Sequence, residues 1–392
     1  MSKFSKKNYQ LASDTWDKLE RNAIYKIVKS GQYTMGEKVR KFEKEFCKYL
    51  DTKNAVMVNS GSSANLLIMA ALALKYRLKG NIIVPAVSWS TTYFPCNQYG
   101  FSLNFVDIDK NTLNLDIKKT QKAINSKTVA IMAVNLLGNS NDFRKLKTIA
   151  KKNNLILIED NCESFGAISN TNQFTGTIGS FGSFSFFFSH HLQTMEGGMI
   201  VCKSKDDADF IKTLRAHGWV RDIDKKNKIY KHSGNNFNDS FTFITPGYNL
   251  RPLEFSGAVG SIQLKKWPSM RKKRISNANY FKKLFSQLND RVLIQKEIGK
   301  SSWFGFSIIL IGDLENKREE ILKKLDQNKV MYRPIVSGNF MKNPVMKYLK
   351  YIDNKNYESA NYLNKNGFFI GNDIINLKKN IKLVYEIISN IK

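Results

Sequence analysis

Two neighbouring imidazoles, His190 and His191, stand in the run Ser185-Phe186-Phe187-Phe188-Ser189-His190-His191-Leu192-Gln193-Thr194-Met195-Glu196-Gly197-Gly198. An imidazole changes charge near neutral pH, so it can take a proton and return it within one reaction. It cannot form the stable covalent imine that a primary amine forms with a carbonyl. Asp160 closes the apolar run Leu155-Ile156-Leu157-Ile158-Glu159-Asp160. A carboxylate there can hold a protonated ring nitrogen or cap a following helix, and both readings stay open. Gly61-Ser62-Ser63 is a small-residue turn able to aim backbone amides at an anion, and Ser185, five residues before His190, can join it. Trp89 offers a flat face to a ring, or packs as an ordinary aromatic.

These groups need rigid elements behind them. Ala55-Val56-Met57-Val58 reads as a buried strand, then comes the Gly/Ser turn, and Ala64 to Ala71 reads as a helix. Further strands are predicted over 81–85, 103–107, 128–134 and 155–160, with helical stretches between them, and residues 16–50 read as helices. Strands alternating with helices predict a mainly parallel sheet covered on both faces, with ligands at the carboxyl ends of its strands. From about residue 255 the pattern changes to a long helix over 255–289, a strand over 302–310 and a helix over 318–327. That change predicts a second, smaller α+β unit.

The chain has 392 residues, 42% of them hydrophobic, enough for one large domain and a smaller one. Its 62 basic and 33 acidic residues give a net charge of +29. The lysines are scattered among Asn and Ile without a basic–aromatic signature, so nucleic-acid binding is not expected. The longest apolar run, Leu66 to Leu74, is too short to span a bilayer. Met1 to Lys7 leads into no apolar core, so no signal peptide is expected and a cytoplasmic location is. Cys47, Cys96, Cys162 and Cys202 form no close pair, which argues against zinc and iron–sulfur sites and for reduced, structural thiols. His232 lies in a polar stretch and reads as solvent-exposed; His217 reads equally well as a satisfied core histidine.

Taken together, the phosphate-type turn, the strand-end acid, Ser185 and the Glu-Gly-Gly segment occur in one order with one spacing. In this the chain resembles, over essentially its whole length, the DegT/DnrJ/EryC1/StrS family of pyridoxal-phosphate (PLP) sugar aminotransferases and dehydratases. The resemblance implies the type I aspartate-aminotransferase fold, a mixed, mainly parallel sheet flanked by helices. It implies a large PLP-binding domain over 1–250, a small C-terminal α+β domain over 251–392, and a homodimer with composite active sites. It assigns Gly61, Ser62 and Ser185 to the cofactor phosphate, Trp89 to the ring face, and Asp160 to the ring nitrogen with Glu163 nearby. Asn249 would come from the partner subunit towards the phosphate, and His217 and Arg221 would lie near the substrate. Six residues before Glu196 the family's aminotransferases carry the lysine that tethers the cofactor; here His190 stands there, with His191 as its support.

Several longer segments narrow the resemblance: Tyr33-Thr34-Met35-Gly36, Pro85 to Tyr93, Arg215-Ala216-His217-Gly218-Trp219, Pro246 to Pro252, Ser302 to Phe306, and Arg333 to Phe340. They resemble the family's C3-dehydrating members, which use PLP and its pyridoxamine form (PMP), untethered, with L-glutamate as amino donor and a GDP-linked 4-keto-6-deoxy sugar as substrate. A nucleotide-sugar aminotransferase of the same family is the rival reading, and the missing lysine counts against it. An iron–sulfur 3-dehydratase also carries His-His, but it clusters cysteines in the segment matching Gly247 to Ser261, where this chain has none.

Overall fold

The computed structural model describes residues 8–392, so the expectation about a leader falls on residues outside it. The first part of the chain alternates as predicted. Helices α1 (Lys18–Ser30) and α2 (Glu37–Leu50) precede β1 (Ala55–Val58) and α3 (Gly61–Leu74). Then come β2 (Asn81–Pro85), α4 (Ser90–Gln98), β3 (Ser102–Val106), α5 (Ile117–Ala123), β4 (Thr128–Val134), α6 (Phe143–Lys152) and β5 (Ile156–Asp160). Strands β6 (Phe181–Ser185) and β7 (Gly198–Cys202), helix α7 (Lys205–Arg215) and the short α8 (Asn236–Asp239) complete it. The later part contains α9 (Glu254–Phe285), β8 (Val292–Ile294), β9 (Gly305–Leu310), α10 (Arg318–Gln327), β10 (Tyr332–Arg333), β11 (Tyr351–Ile352), α11 (Glu358–Asn366), β12 (Gly367–Gly371) and α12 (Lys378–Ser389).

Eight strands form one sheet in the order β1-β7-β6-β5-β4-β2-β3-β11. The pairings from β6 through β11 are parallel, while β7 runs antiparallel to both β1 and β6. Strands β10, β12, β9 and β8 make a second, antiparallel sheet. Strands β2 and β4 to β5 are nearly all buried along their length, as expected of apolar runs covered on both faces. Sequence patterning did not mark β6 and β7 as strands. Phe-Gly-Ser-Phe-Ser lacks the β-branched residues that make a strand legible, and its pairing comes from neighbours on both sides.

The strand expected from residue 302 begins at Gly305. Trp303 takes a left-handed φ of 51°, and the amides of Ser302 and Phe304 donate to Gly138 O and Leu137 O instead of to a neighbouring strand. Local capping explains other boundaries. Asp17 and Glu20 form a capping box at the start of α1, and Ser60 Oγ accepts from Ser63 N (3.0 Å) at the start of α3.

The two sheets are tied together by long-range contacts. Helix α9 begins beside α2, where Glu254 accepts from the amides of Gly36, Lys38 and Val39, and ends with Phe281 and Phe285 in the core of the second sheet. Tyr9 is buried in that second core and donates to Gly371 O (2.7 Å). The chain from Tyr9 then crosses to the histidine turn, where Thr15 Oγ1 and Trp16 Nε1 donate to Gln193 Oε1 and O. Among the described residues no helix is long and apolar enough to cross a membrane.

Candidate active site

The site forms where α3 meets the carboxyl ends of β5 and β6. Gly61 opens α3 with its backbone wedged against Ser185: a Cβ at Gly61 would lie 2.6 Å from Ser185 Cβ and 3.0 Å from Cys162 Sγ. Only glycine fits there, and the fit brings the first-turn amides of α3 and the Ser185 hydroxyl to one place. A helix leaves its first amides without partners in its own backbone, so this pair is a place able to hold an anion. Ser62, exposed at the same end, donates its hydroxyl to Thr91 Oγ1 (3.0 Å), which links the cradle to α4.

Asp160 is the last residue of β5 and is 5% exposed. Its Oδ2 accepts from Asn65 Nδ2 of α3 (2.9 Å) and Thr92 Oγ1 of α4 (2.7 Å), and its Oδ1 from Cys162 N (3.2 Å). The carboxylate is therefore fixed by three donors rather than capping a helix. Trp89, the residue before α4, is 57% exposed, so its indole face is open to a ring bound above Asp160. Sequence reasoning missed Asn65 and Thr92. Their signal was modest: an amide inside an otherwise apolar helix, and a threonine three residues after Trp89.

Glu163 is half-buried and accepts from Leu137 N (2.9 Å). Burial and the Asp160 charge push its carboxyl up to about 7, against the pull of the Leu137 amide. A neutral Glu163 can donate a hydrogen bond to a bound ring; an ionised one cannot. The rate of a reaction that needs this bond is expected to fall as pH rises through about 7. Glu163→Gln, always a donor, is expected to remove that fall, which a pH profile of kcat/KM will check.

His190 sits in the turn leaving β6, its amide donating to Phe187 O (2.8 Å). The rings of Phe187 and Phe304 meet it edge-on at 6.0 and 5.3 Å. Its Nδ1 is buried and makes no hydrogen bond within the protein. Burial, with the Arg274 charge as a second cause, pushes the imidazole down to about 4, so it is neutral at pH 7. His191 is 2% exposed, packs on Trp267 and Phe304, and faces Ser302 O at 3.4 Å. It is second to His190 in access, as the sequence implied.

The remaining candidates lie on the excursion from residue 217 to 253. His217 has a φ of 62°, donates its amide to Tyr248 O (2.6 Å) and packs on Trp219 at 4.8 Å. Arg221 lies over the same indole at 4.4 Å. Asn249 is exposed and accepts from Arg251 Nε (3.0 Å). None of the three contacts the Gly61–Ser185 cradle within this chain. His232 departs from expectation: it is half-buried, with Nδ1 3.3 Å from Asp239 Oδ2. The polar stretch folds back on Asp239, which also takes the Tyr230 and Ser233 hydroxyls. A cavity of about 410 Å³ between α2, β1 and α7 contains none of the candidate residues.

The cradle that a Cβ would fill, a carboxylate fixed at a strand end, an open indole face and an orphaned imidazole nitrogen are the features that a phosphorylated pyridine cofactor requires. The chain belongs to the DegT/DnrJ/EryC1/StrS aminotransferase family, whose model matches residues 14–371. It is 48% identical over 387 residues to a GDP-4-keto-6-deoxy-D-mannose 3-dehydratase of Yersinia pseudotuberculosis, covering 97% of this chain and 98% of that one. The solved structure of an E. coli GDP-4-keto-6-deoxy-D-mannose-3-dehydratase with bound hydrated PLP superposes with a TM-score of 0.95 at 48% identity, covering 98% of this chain and all of that one. A GDP-4-keto-6-deoxymannose-3-dehydratase with a trapped PLP-glutamate geminal diamine matches at TM-score 0.94 and 48% identity over 97% of this chain and all of that one. The fold is that of the PLP-dependent aminotransferases, as the sequence led us to expect.

Proposed function

We propose that this protein is a PLP-dependent 3-dehydratase that converts GDP-4-keto-6-deoxy-D-mannose to GDP-4-keto-3,6-dideoxy-D-mannose in deoxysugar biosynthesis, with L-glutamate as amino donor. The observation that carries the reading is 48% identity to a dehydratase across 97% of the chain, with His190 where the family's aminotransferases keep their lysine. The cofactor held at this site would supply an amino group taken from glutamate and an electron sink through which the sugar's C3 hydroxyl leaves.

The residues divide the remaining tasks. Gly61, Ser62 and Ser185 hold the phosphate with the amides of α3. Trp89 covers one face of the ring, and Asp160 keeps its nitrogen protonated. Glu163 donates beside it. His190, neutral at pH 7, removes a proton next to the ring and hands it to the departing hydroxyl, which leaves as water. His217 and Arg221 lie towards the GDP-sugar.

No lysine at position 190 tethers the cofactor, so the cradle carries its retention. Gly61→Val is expected to drive a side chain into Ser185 and lower PLP affinity by at least ~10-fold, read by spectrophotometric titration.

Two copies form a homodimer in which Asn249 of the partner subunit reaches the phosphate. Exposed Phe187, Phe237, Phe241 and Phe243 support such an interface, since apolar surface of this kind marks contact sites. The large PLP-binding domain spans 1–250 and the small domain 251–392, with Tyr9 and β11 crossing that division in opposite directions. The enzyme works in the cytoplasm. The decisive experiment offers GDP-4-keto-6-deoxy-D-mannose and L-glutamate and identifies the product by NMR. A new C3 methylene is the expected result; a 4-amino sugar would establish the aminotransferase instead.

A further inference from the structure

Arg274, on α9, is 3% exposed, and among the described residues no carboxylate forms an ion pair with it. Its Nη1 donates to Trp303 O (3.3 Å) and Phe304 O (3.4 Å), and its Nε is buried without a hydrogen-bond partner. Burying a guanidinium in this way is costly, and two carbonyls compensate it less well than a carboxylate does. The segment it grips is the one that holds the histidines. Phe304 meets the rings of His190 and His191 at 5.3 and 5.5 Å, and Ser302 O faces His191 Nε2.

We infer that Arg274 is a positioning residue for the reaction: it locks Ser302–Phe304 against the imidazole pair and disfavours a second positive charge beside it. The inference rests on the reading of His190 as the base. Arg274, from α9, acts on both imidazoles, while Arg271 of the same helix and the neighbouring His190 act on His191. Asp373 acts on Arg274 and favours its charged form. The rings packed around the pair, those of Phe187, Phe304 and Trp267, carry no charge. Burial and Arg274 together hold His190 down at about 4.

The chemical consequence is directional. A neutral imidazole is free to accept the proton, although as a weaker base than an ordinary one, and the imidazolium it becomes is the stronger acid for the return step. The proton goes to the leaving C3 hydroxyl, water departs, and His190 returns neutral. An imidazole at its ordinary value near ~6.5 would hold the proton longer.

The test uses the cofactor-loaded protein labelled in its histidines. There are four histidines in the chain, so the His190 signal is assigned by its loss in His190→Asn. In the unaltered protein the His190 imidazole is expected to stay neutral down to about pH 5. In Arg274→Gln its midpoint and the acid limb of kcat/KM are expected to move up together by as much as ~1 pH unit, and in Arg274→Lys both are expected to stay low. A purely structural role for Arg274 would lower kcat in both variants without moving the limb. A His190 midpoint near ~6.5 in the unaltered protein overturns the inference, whether or not the variants fold. An unmoved midpoint in Arg274→Gln also overturns it. A midpoint that moves while the kinetic limb stays fixed overturns the base assignment and, with it, the catalytic part of the inference.

Discussion

His190→Asn is expected to bind PLP and lose dehydration, with kcat down by at least ~10²–10⁴-fold, the usual contribution of a positioned acid–base group. Asparagine is close to histidine in reach, and the edges of Phe187 and Phe304 can pack against its amide, so the turn should keep its shape. The amide cannot take a proton, and the neighbouring His191 does not replace it, being buried and turned to Ser302 O. The measurement pairs the cofactor's absorbance spectrum with NMR detection of the deoxygenated sugar. Retained absorbance with no product is the expected result. Full turnover by the variant would end the assignment of His190 as the base.

The second large effect concerns Asp160. Asp160→Asn preserves the outline of the side chain and removes its charge. A neutral amide does not keep a pyridine nitrogen protonated, so the electron sink weakens; a loss of ~10²–10³-fold in kcat is expected, comparable to removing one charge-stabilising group from an active site. The stability cost is expected to be small by comparison. Asn65 Nδ2, Thr92 Oγ1 and Cys162 N all donate to the carboxylate, and an amide leaves at least one of them facing another donor. One such mismatch costs about 1–3 kcal/mol. Thermal unfolding and single-turnover kinetics on the same preparation separate the two. A variant that melts early but turns over normally would show that Asp160 is a structural residue.

How much of this was legible beforehand depended on whether the information was local. Continuous apolar runs such as Asn81–Pro85 and Thr128–Val134 announced buried strands, and the strand–turn–helix around Gly61 is found as β1 followed by α3. The crossing of Gly61 with Ser185 was implied only by family spacing; the steric reason appears once β6 lies alongside α3. Strand β6 stayed hidden because Phe-Gly-Ser-Phe-Ser has no β-branched residue, and β7, although apolar, is only five residues long and was not singled out. The groups that set chemistry at a distance were hidden for another reason. Asn65 and Thr92 matter because folding brings them to Asp160. Glu163 is an ordinary carboxylate in the sequence and titrates near 7 only after burial beside Asp160. His232 misled in the opposite sense, since a polar stretch looks solvated until Asp239 collects it.

The burial of Tyr9 against Gly371, 362 residues away, has a consequence for how the molecule is made. During synthesis at ~5–20 residues per second, the start of the chain waits roughly 20–70 s for that partner to emerge from the ribosome. Throughout that interval the β1–β7 region can assemble while Tyr9 lacks its Gly371 partner. The N-terminal segment crosses from Tyr9 to Gln193 beside the histidine turn. One short segment therefore joins the last sheet to the histidine turn, and its docking on Gly371 waits on a partner made hundreds of residues later.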